Sequence, residues 1–324
     1  MSAVSGLRLY HLDVFAERPY EGNPLALVTG GQDLAAEAMQ AVARELHLSE
    51  TVFVLPAAER TGERSDAADG RPPEAAGAEG VAARLRIFTP AMELPFAGHP
   101  SVGAAWWLAR FAGAGPSFGL QVQAGPLAAE VEGDAGPGPV WVRAPRPAQA
   151  AVDDLAGRTA ALLAAGGLGP GDLAGPEPQV WSTGNEHHVT LLGPGVDLGA
   201  LRPDLGAVAD ALGPAGWLVV SLQGRGRAKV RYFAPGAGVA EDPATGSAAA
   251  ALVGYLAARD PGALDGGRLR SVQGVELGQP SLLEAAWRDG EAWIGGTCHL
   301  LYQADLLAPG QRGAAAGIMP GEGE

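Results

Sequence analysis

The densest polar cluster in the chain lies in an otherwise apolar region: Glu241-Asp242-Pro243-Ala244-Thr245-Gly246-Ser247. It runs directly into a stretch of small apolar residues. An upstream counterpart, Gly98-His99-Pro100-Ser101, opens a second such stretch. Each motif sets a polar side chain at the start of a helix, where free backbone N–H groups and the positive end of the helix dipole coincide. Such ends bind carboxylates or phosphates, and two of them facing one cleft would suit a small anionic substrate. Ser and Gly also cap helices with no ligand present, and Asp242 and Thr245 could simply satisfy backbone donors. In the functional reading Asp242 hydrogen-bonds substrate or handles a proton. His99 could titrate near neutral pH, although a His before Pro also serves structure. Glu50, where a helix passes into a strand, reads on position alone as a surface carboxylate.

Other chemistries lack their residues. His187 and His188 are adjacent on a strand and point to opposite faces, so they do not readily share a metal. Cys298 is the one cysteine, which excludes an internal disulfide and a multi-Cys zinc site. There is no HExxH, Walker loop, GxGxxG or GxSxG. The formal net charge is −14 and the most basic run is the scattered RGRAK at 225–229, which argues against nucleic acid. No stretch approaches the roughly 18 apolar residues of a membrane span. The N-terminus lacks a basic region followed by an apolar core, so a cytoplasmic protein is expected.

The elements that would position these residues follow from periodicity. Residues 7–15 alternate as a strand, EGNP at 21–24 turns, and LALV continues as a second strand. The spacing predicts a helix over 33–48 with Asp33 as N-cap, then a strand at 51–56. Residues 57–83 are polar and aperiodic and are expected to be a long mobile loop. RLRIFTP at 84–90 is a strand, and helices follow at 101–112 and 247–258, both apolar nearly all round as buried helices are. Two or three strands are expected around 270–305, and residues 306–324 read as a disordered tail.

The chain repeats itself. Arg86-x-Phe88-x-Pro90 is echoed by Arg231-x-Phe233-x-Pro235. Each leads through a loop, three residues longer in the second copy, to Gly98-His99 or Gly246-Ser247 and a small-residue helix. Gly22-Asn23 is echoed by Gly184-Asn185. Two similar α+β halves, 1–118 and 119–305, are expected, with an active site in the cleft between them.

DVFAERPYEGNPLALV, LSETVFVL, RIFTPAMELPFAGHPSVGAA and RYFAPGAGVAEDPATGSAAA together resemble the phenazine-biosynthesis PhzF-like family, which shares the diaminopimelate epimerase fold. The resemblance covers roughly residues 8–305. It implies two pseudo-symmetric domains, each a barrel-like sheet around a central helix, working as a homodimer without metal or organic cofactor. It implies that the glutamate of Ser-Glu-Thr, here Glu50, moves a proton, with His99 and Asp242 as catalytic partners. Asn23, Gly98, Gly246 and Ser247 would then bind a small carboxylate substrate. The related epimerases use two cysteines as acid and base. This chain has His99 and Ser247 at the helix starts instead, which points to isomerisation through one carboxylate. An epimerase or racemase, or a non-catalytic scaffold on the same fold, are the alternatives.

Overall fold

The computed structural model describes residues 6–57, 80–133 and 138–310. Its first series of elements is β1 (Leu7–Val14), β2 (Asn23–Thr29), α1 (Ala36–Leu46), β3 (Thr51–Pro56), β4 (Val81–Phe88), short β5 (Glu93–Leu94), α2 (Gly98–Phe111), β6 (Ser117–Val122), β7 (Gly125–Val131) and β8 (Val140–Arg143). The first series ends in a short strand, β9 (Ala148–Gln149), and the second series is α3 (Leu155–Ala165), β10 (Gln179–Ser182), β11 (Glu186–Leu192), α4 (Leu205–Leu212), β12 (Gly216–Leu222), β13 (Arg227–Phe233), α5 (Gly246–Arg259), β14 (Arg268–Gln273), β15 (Ser281–Arg288) and β16 (Glu291–Gly296). A last strand, β17, spans Cys298–Leu306. The fold is α+β.

Strand pairing repeats with the same relative directions. β1 to β2 is antiparallel, β2 to β3 parallel, β3 to β4 antiparallel, β4 to β6 parallel, and β6, β7 and β8 form an antiparallel meander. β10, β11, β12, β13, β14, β15 and β16 follow the identical series. The two series join where β8 runs antiparallel to β16. Each then hands one strand to the other: β9 pairs with β10, and β17 pairs with β1. The boundary at 118/119 therefore falls inside β6, and the C-terminal strand belongs with the N-terminal series.

Each sheet curls around its own helix. α2 touches strands from β1 to β8, and α5 touches strands from β9 to β16. Both helices are Ala- and Gly-rich because the space inside a tightly curled sheet is narrow: an added methyl on Gly103 would collide with Leu25. Val102, Trp106 and Leu108 of α2 and Leu252, Val253 and Leu256 of α5 are buried. Burying each large apolar side chain contributes about 1.5–3 kcal/mol. The outer sheet faces are covered separately, by α1 over Leu9, Val28, Phe53 and Phe88, and by α3 and α4 over Trp217, Val219 and Phe233.

Some boundaries differ from those expected. α1 begins after Ala35, whose side chain cannot cap, and Asp33 stays outside it. β4 begins at Val81, inside the segment read as loop, while 58–79 of that loop lie outside the described residues. Four strands, β14 to β17, fill the C-terminal region rather than two or three. Of the expected tail, Leu306 instead ends β17, and the part beyond 310 lies outside the described residues.

The Arg-x-Phe-x-Pro repeat has a physical basis. Arg86 stacks over Phe88, 5.1 Å from the ring centre, and forks onto both carboxylate oxygens of Glu93 at 2.7 and 2.6 Å. Arg231 stacks over Phe233 at 4.9 Å and forks onto Glu241 at 2.8 and 2.7 Å. Period-two alternation puts Arg and Phe on one strand face, and the bidentate pair pulls the following loop back onto it. Glu93 and Glu241 thus anchor the two loops that lead to the helix starts. Both loops read Glu-x-Pro-x-x-Gly, ending at Gly98 and Gly246.

Candidate active site

The N-termini of α2 and α5 abut. A Cβ on Gly98 would lie 2.8 Å from the Gly246 Cα, and a Cβ on Gly246 would lie 3.1 Å from the Gly98 Cα. Glycine is therefore needed at both positions for backbone to meet backbone. The first N–H groups of both helices have no intrahelical partner, so their donors and positive dipole ends converge on one place. Pro100, in the first turn of α2, removes a donor that the helix could not have used.

Around this junction stand Glu50, His99, Asn23 and Asp242. The Glu50 Oε2 lies 3.5 Å from the His99 Nδ1. Asn23, at the start of β2, donates from its amide nitrogen to the Asp242 Oδ1 at 3.1 Å and to the Ala244 carbonyl at 3.0 Å. It accepts from the Ser49 hydroxyl at 3.3 Å. Both amide protons of Asn23 are thus committed to the second half. The same nitrogen approaches the His99 Nδ1 at 3.5 Å, so Nδ1 lies between the Asn23 amide and the Glu50 carboxyl. Ser247 sits in the first turn of α5 and is 7% exposed.

Burial governs the protonation of these groups. Desolvation pushes the Glu50 carboxyl up to about 7, against a smaller lowering by the Ser49 hydroxyl. Asp242 is pushed up to about 6, first by burial and then by the charge of Glu50. Two carboxylates sharing a desolvated site hold a proton between them readily. Burial lowers His99 to about 4, opposed in part by Asp242 and by the Pro24 backbone. His99 is therefore a neutral imidazole near pH 7, and its Nε2 is buried with no partner among the described residues. The Glu50 side chain keeps 19% exposure, so a group buried enough to be perturbed still reaches solvent.

The pseudo-symmetry shows what the second half has in place of these residues. Thr51 pairs with Phe88 as Trp217 pairs with Phe233, which makes Gly216 the counterpart of Glu50 and Tyr232 the counterpart of Ile87. The space a side chain at Gly216 would need is filled by the Tyr232 phenol. That phenol lies 2.9 Å from the His187 Nδ1. His187 and His188 do face opposite ways: His188 instead meets Thr159 at 3.0 Å and Thr190 at 3.2 Å. Among the described residues no group of three His, Cys, Asp or Glu is placed to hold a metal, and no helix is long and apolar enough to cross a membrane.

Sequence reasoning missed Gln273 and read Thr245 only as a residue that could satisfy backbone donors. Thr245 is the N-cap of α5 yet makes no side-chain cap; its hydroxyl donates to the Asp242 Oδ2 at 2.7 Å. Gln273, at the end of β14, donates to the Asp242 carbonyl at 2.7 Å and to the Thr245 Oγ1 at 3.1 Å. The signal available was the shared Glu-x-Pro-x-x-Gly frame, which marks Asp242 and Thr245 as polar where the first copy has Leu94 and Ala97.

The chain is similar to proteins of known description over most of its length. The family model for phenazine biosynthesis-like proteins, PhzC-PhzF, matches residues 12–292. A trans-2,3-dihydro-3-hydroxyanthranilate isomerase of Pseudomonas chlororaphis is 37% identical over 285 residues, which cover 85% of this chain and 88% of that protein. A solved Pseudomonas aeruginosa structure, named a predicted epimerase, is 33% identical and superposes with a TM-score of 0.73, covering 93% of this chain and 99% of the other. A hydroxyproline epimerase from Agrobacterium vitis shares the fold alone, with a TM-score of 0.57 at 13% identity over 95% of each chain. With the family model matched over most of the chain and identity sustained across both halves, the chain belongs to the phenazine biosynthesis-like PhzC-PhzF family of isomerases.

Proposed function

We propose that this isomerase works without a cofactor, with Glu50 moving one proton on a small unsaturated carboxylate. Ionised Glu50 takes a proton from carbon next to the unsaturated system. The C–H electron pair passes into that system, and Glu50, now neutral, returns the proton to another carbon on the same face. A base whose pKa lies near the working pH suits both halves of such a shuttle, which general acid–base catalysis supports by about 10²–10⁴-fold. The neutral imidazole of His99, with Nδ1 at 3.5 Å from the Glu50 carboxyl, holds its orientation. Asp242 binds or polarises a substrate polar group. Ser247 and the N–H groups at Gly98 and Gly246 receive the substrate carboxylate.

The observation that carries this reading is the asymmetry of the site. Glu50 is matched across the pseudo-twofold by Gly216, whose space is filled by Tyr232. Two-base epimerisation would need a second proton carrier on the opposite face. Cys298 does not offer one, because it is buried in β17 and its thiol is pushed far up by desolvation.

The test is proton exchange in D₂O with trans-2,3-dihydro-3-hydroxyanthranilate, the compound named in the matched relative, and with other small unsaturated carboxylates. Deuterium should appear at carbon, and Glu50→Gln should abolish it with the fold intact. Exchange that survives Glu50→Gln removes the assigned role.

A further inference from the structure

We infer that Gln273 and Thr245 are positioning residues that, together with Asn23, make Asp242 a hydrogen-bond acceptor on both oxygens, leaving the exchangeable proton of the site to Glu50. The inference deepens the proposed function and rests on it for its catalytic meaning.

Donors and acceptors around Asp242 can be counted one by one. The Gln273 Nε2 carries two protons, directed to the Asp242 carbonyl at 2.7 Å and to the Thr245 Oγ1 at 3.1 Å. The Gln273 Oε1 accepts from the Thr245 backbone N–H at 3.3 Å. Because the Thr245 oxygen is already accepting, its own proton turns outward, and the Asp242 Oδ2 lies 2.7 Å away to receive it. The other oxygen, Oδ1, accepts from Asn23 at 3.1 Å. Asn23 has no freedom to turn away, since its second proton is held by Ala244. Gln273 and Thr245 are 3% and 9% exposed, so water does not substitute for these donors at little cost.

Symmetry supplies independent support. Arg84 pairs with Gln121 as Lys229 pairs with Val272, so the counterpart of Gln273 is Val122. The trio Asp242, Thr245 and Gln273 thus stands where the first half has Leu94, Ala97 and Val122, an apolar set at equivalent points of the same frame. Ordinary support of a helix start is achieved there with no polar side chain. The polar trio is confined to the half that faces Glu50.

The groups around Asp242 are Glu50 before β3, His99 on α2, Asn23 on β2, Tyr232 on β13 and Gln273 on β14. His99 is neutral near pH 7, and burial together with Asp242 raises Tyr232, which keeps it protonated. Glu50 is the group left to exchange a proton with Asp242. Hydrogen bonds donated to a carboxylate favour its charged form. Removing one therefore moves the shared proton from Glu50 towards Asp242 and leaves Glu50 ionised over a wider range.

The experiment is a pH titration of the full-length chain carrying ¹³C-labelled Asp and Glu carboxyls, followed by NMR, with Asp242→Asn and Glu50→Gln giving the assignments. Thr245→Val should strengthen proton binding at Asp242 about tenfold and weaken it at Glu50. Gln273→Leu should act in the same direction by about threefold, because Thr245 keeps its hydroxyl but loses its orientation. Thr245→Ser should restore the wild-type titration. Thr245→Val and Gln273→Leu titrating like wild type would overturn the inference, and if Thr245→Val does not fold, Gln273→Leu alone decides it. Because the titration needs no substrate, an absence of deuterium exchange in the wild type would count against the proposed function without touching this result.

Discussion

Replacing Glu50 by Gln should make the protein more stable above neutral pH while abolishing its chemistry. Burial raises the Glu50 carboxyl from 4.5 to about 7. Linkage sets the sign. Below the unfolded value both states hold the proton and there is no penalty. Between that value and about 7 the unfolded chain releases its proton while the folded chain keeps it, so stability falls as pH rises. Above the folded value the penalty is constant. Each tenfold difference in proton affinity between the two states is worth about 1.4 kcal/mol, so the full penalty is about 3 kcal/mol. Glutamine has nearly the same shape and does not titrate, so the variant escapes this loss. Urea unfolding of both proteins should give nearly equal stability near about pH 4.5 and a gap widening to about 3 kcal/mol near about pH 8. Asp242, raised in the same sense, leaves a smaller slope in the variant. Parallel stability curves for the two proteins would refute the claim that the folded site desolvates Glu50.

Further outcomes follow from the same geometry. Exchange catalysed by the wild type should rise as pH passes through about 7, because Glu50 must be ionised to take a proton, and a pH–rate profile measures this. Gly216→Ala places a methyl on the Tyr232 phenol and should cost about 1–3 kcal/mol in thermal or urea unfolding; Tyr232→Ala in the same chain should recover part of it, giving non-additive costs. Gly98→Ala should reduce kcat as well as stability, since it forces apart the two helix starts. Arg231→Met strands Glu241 and frees the Leu198 and Leu201 carbonyls, so it should cost about 3–5 kcal/mol, measurably more than Arg86→Met at the more exposed first copy.

The parts of the fold legible in the sequence are those with local signals. α2 and α5 show themselves because a helix inside a curled sheet must be apolar and small on every side. The Arg-x-Phe-x-Pro repeat is legible because stacking and forking need fixed residue types at fixed spacing. What escaped has non-local causes. Ala35 rather than Asp33 begins α1 because tertiary packing, not capping chemistry, sets that start. Gln273 lies in a strand whose alternation marks it only as inward-facing, and its partners at 242 and 245 belong to another element. Glu50 looks like a surface residue in sequence because the groups it meets, His99 and Asp242, are both distant along the chain. The exchange of β9 and β17 between the halves leaves no trace in composition or period, since a strand's pattern does not name its partner.

That exchange also sets an order of events for a growing chain. β1 has β2 on one side and β17 on the other, the first and last strands described. Until β17 has been synthesised, β1 presents an open edge, with unpaired backbone donors and acceptors available to any other strand. The second half can complete its own series at β16 much earlier, its extra strand β9 having already been made. The half that carries Glu50 is therefore made first and closed last. Contacts of such sequence separation form slowly because loop closure precedes the stabilisation they bring. For this chain the period of greatest exposure to aggregation falls after the N-terminal strands are made and before the final one arrives.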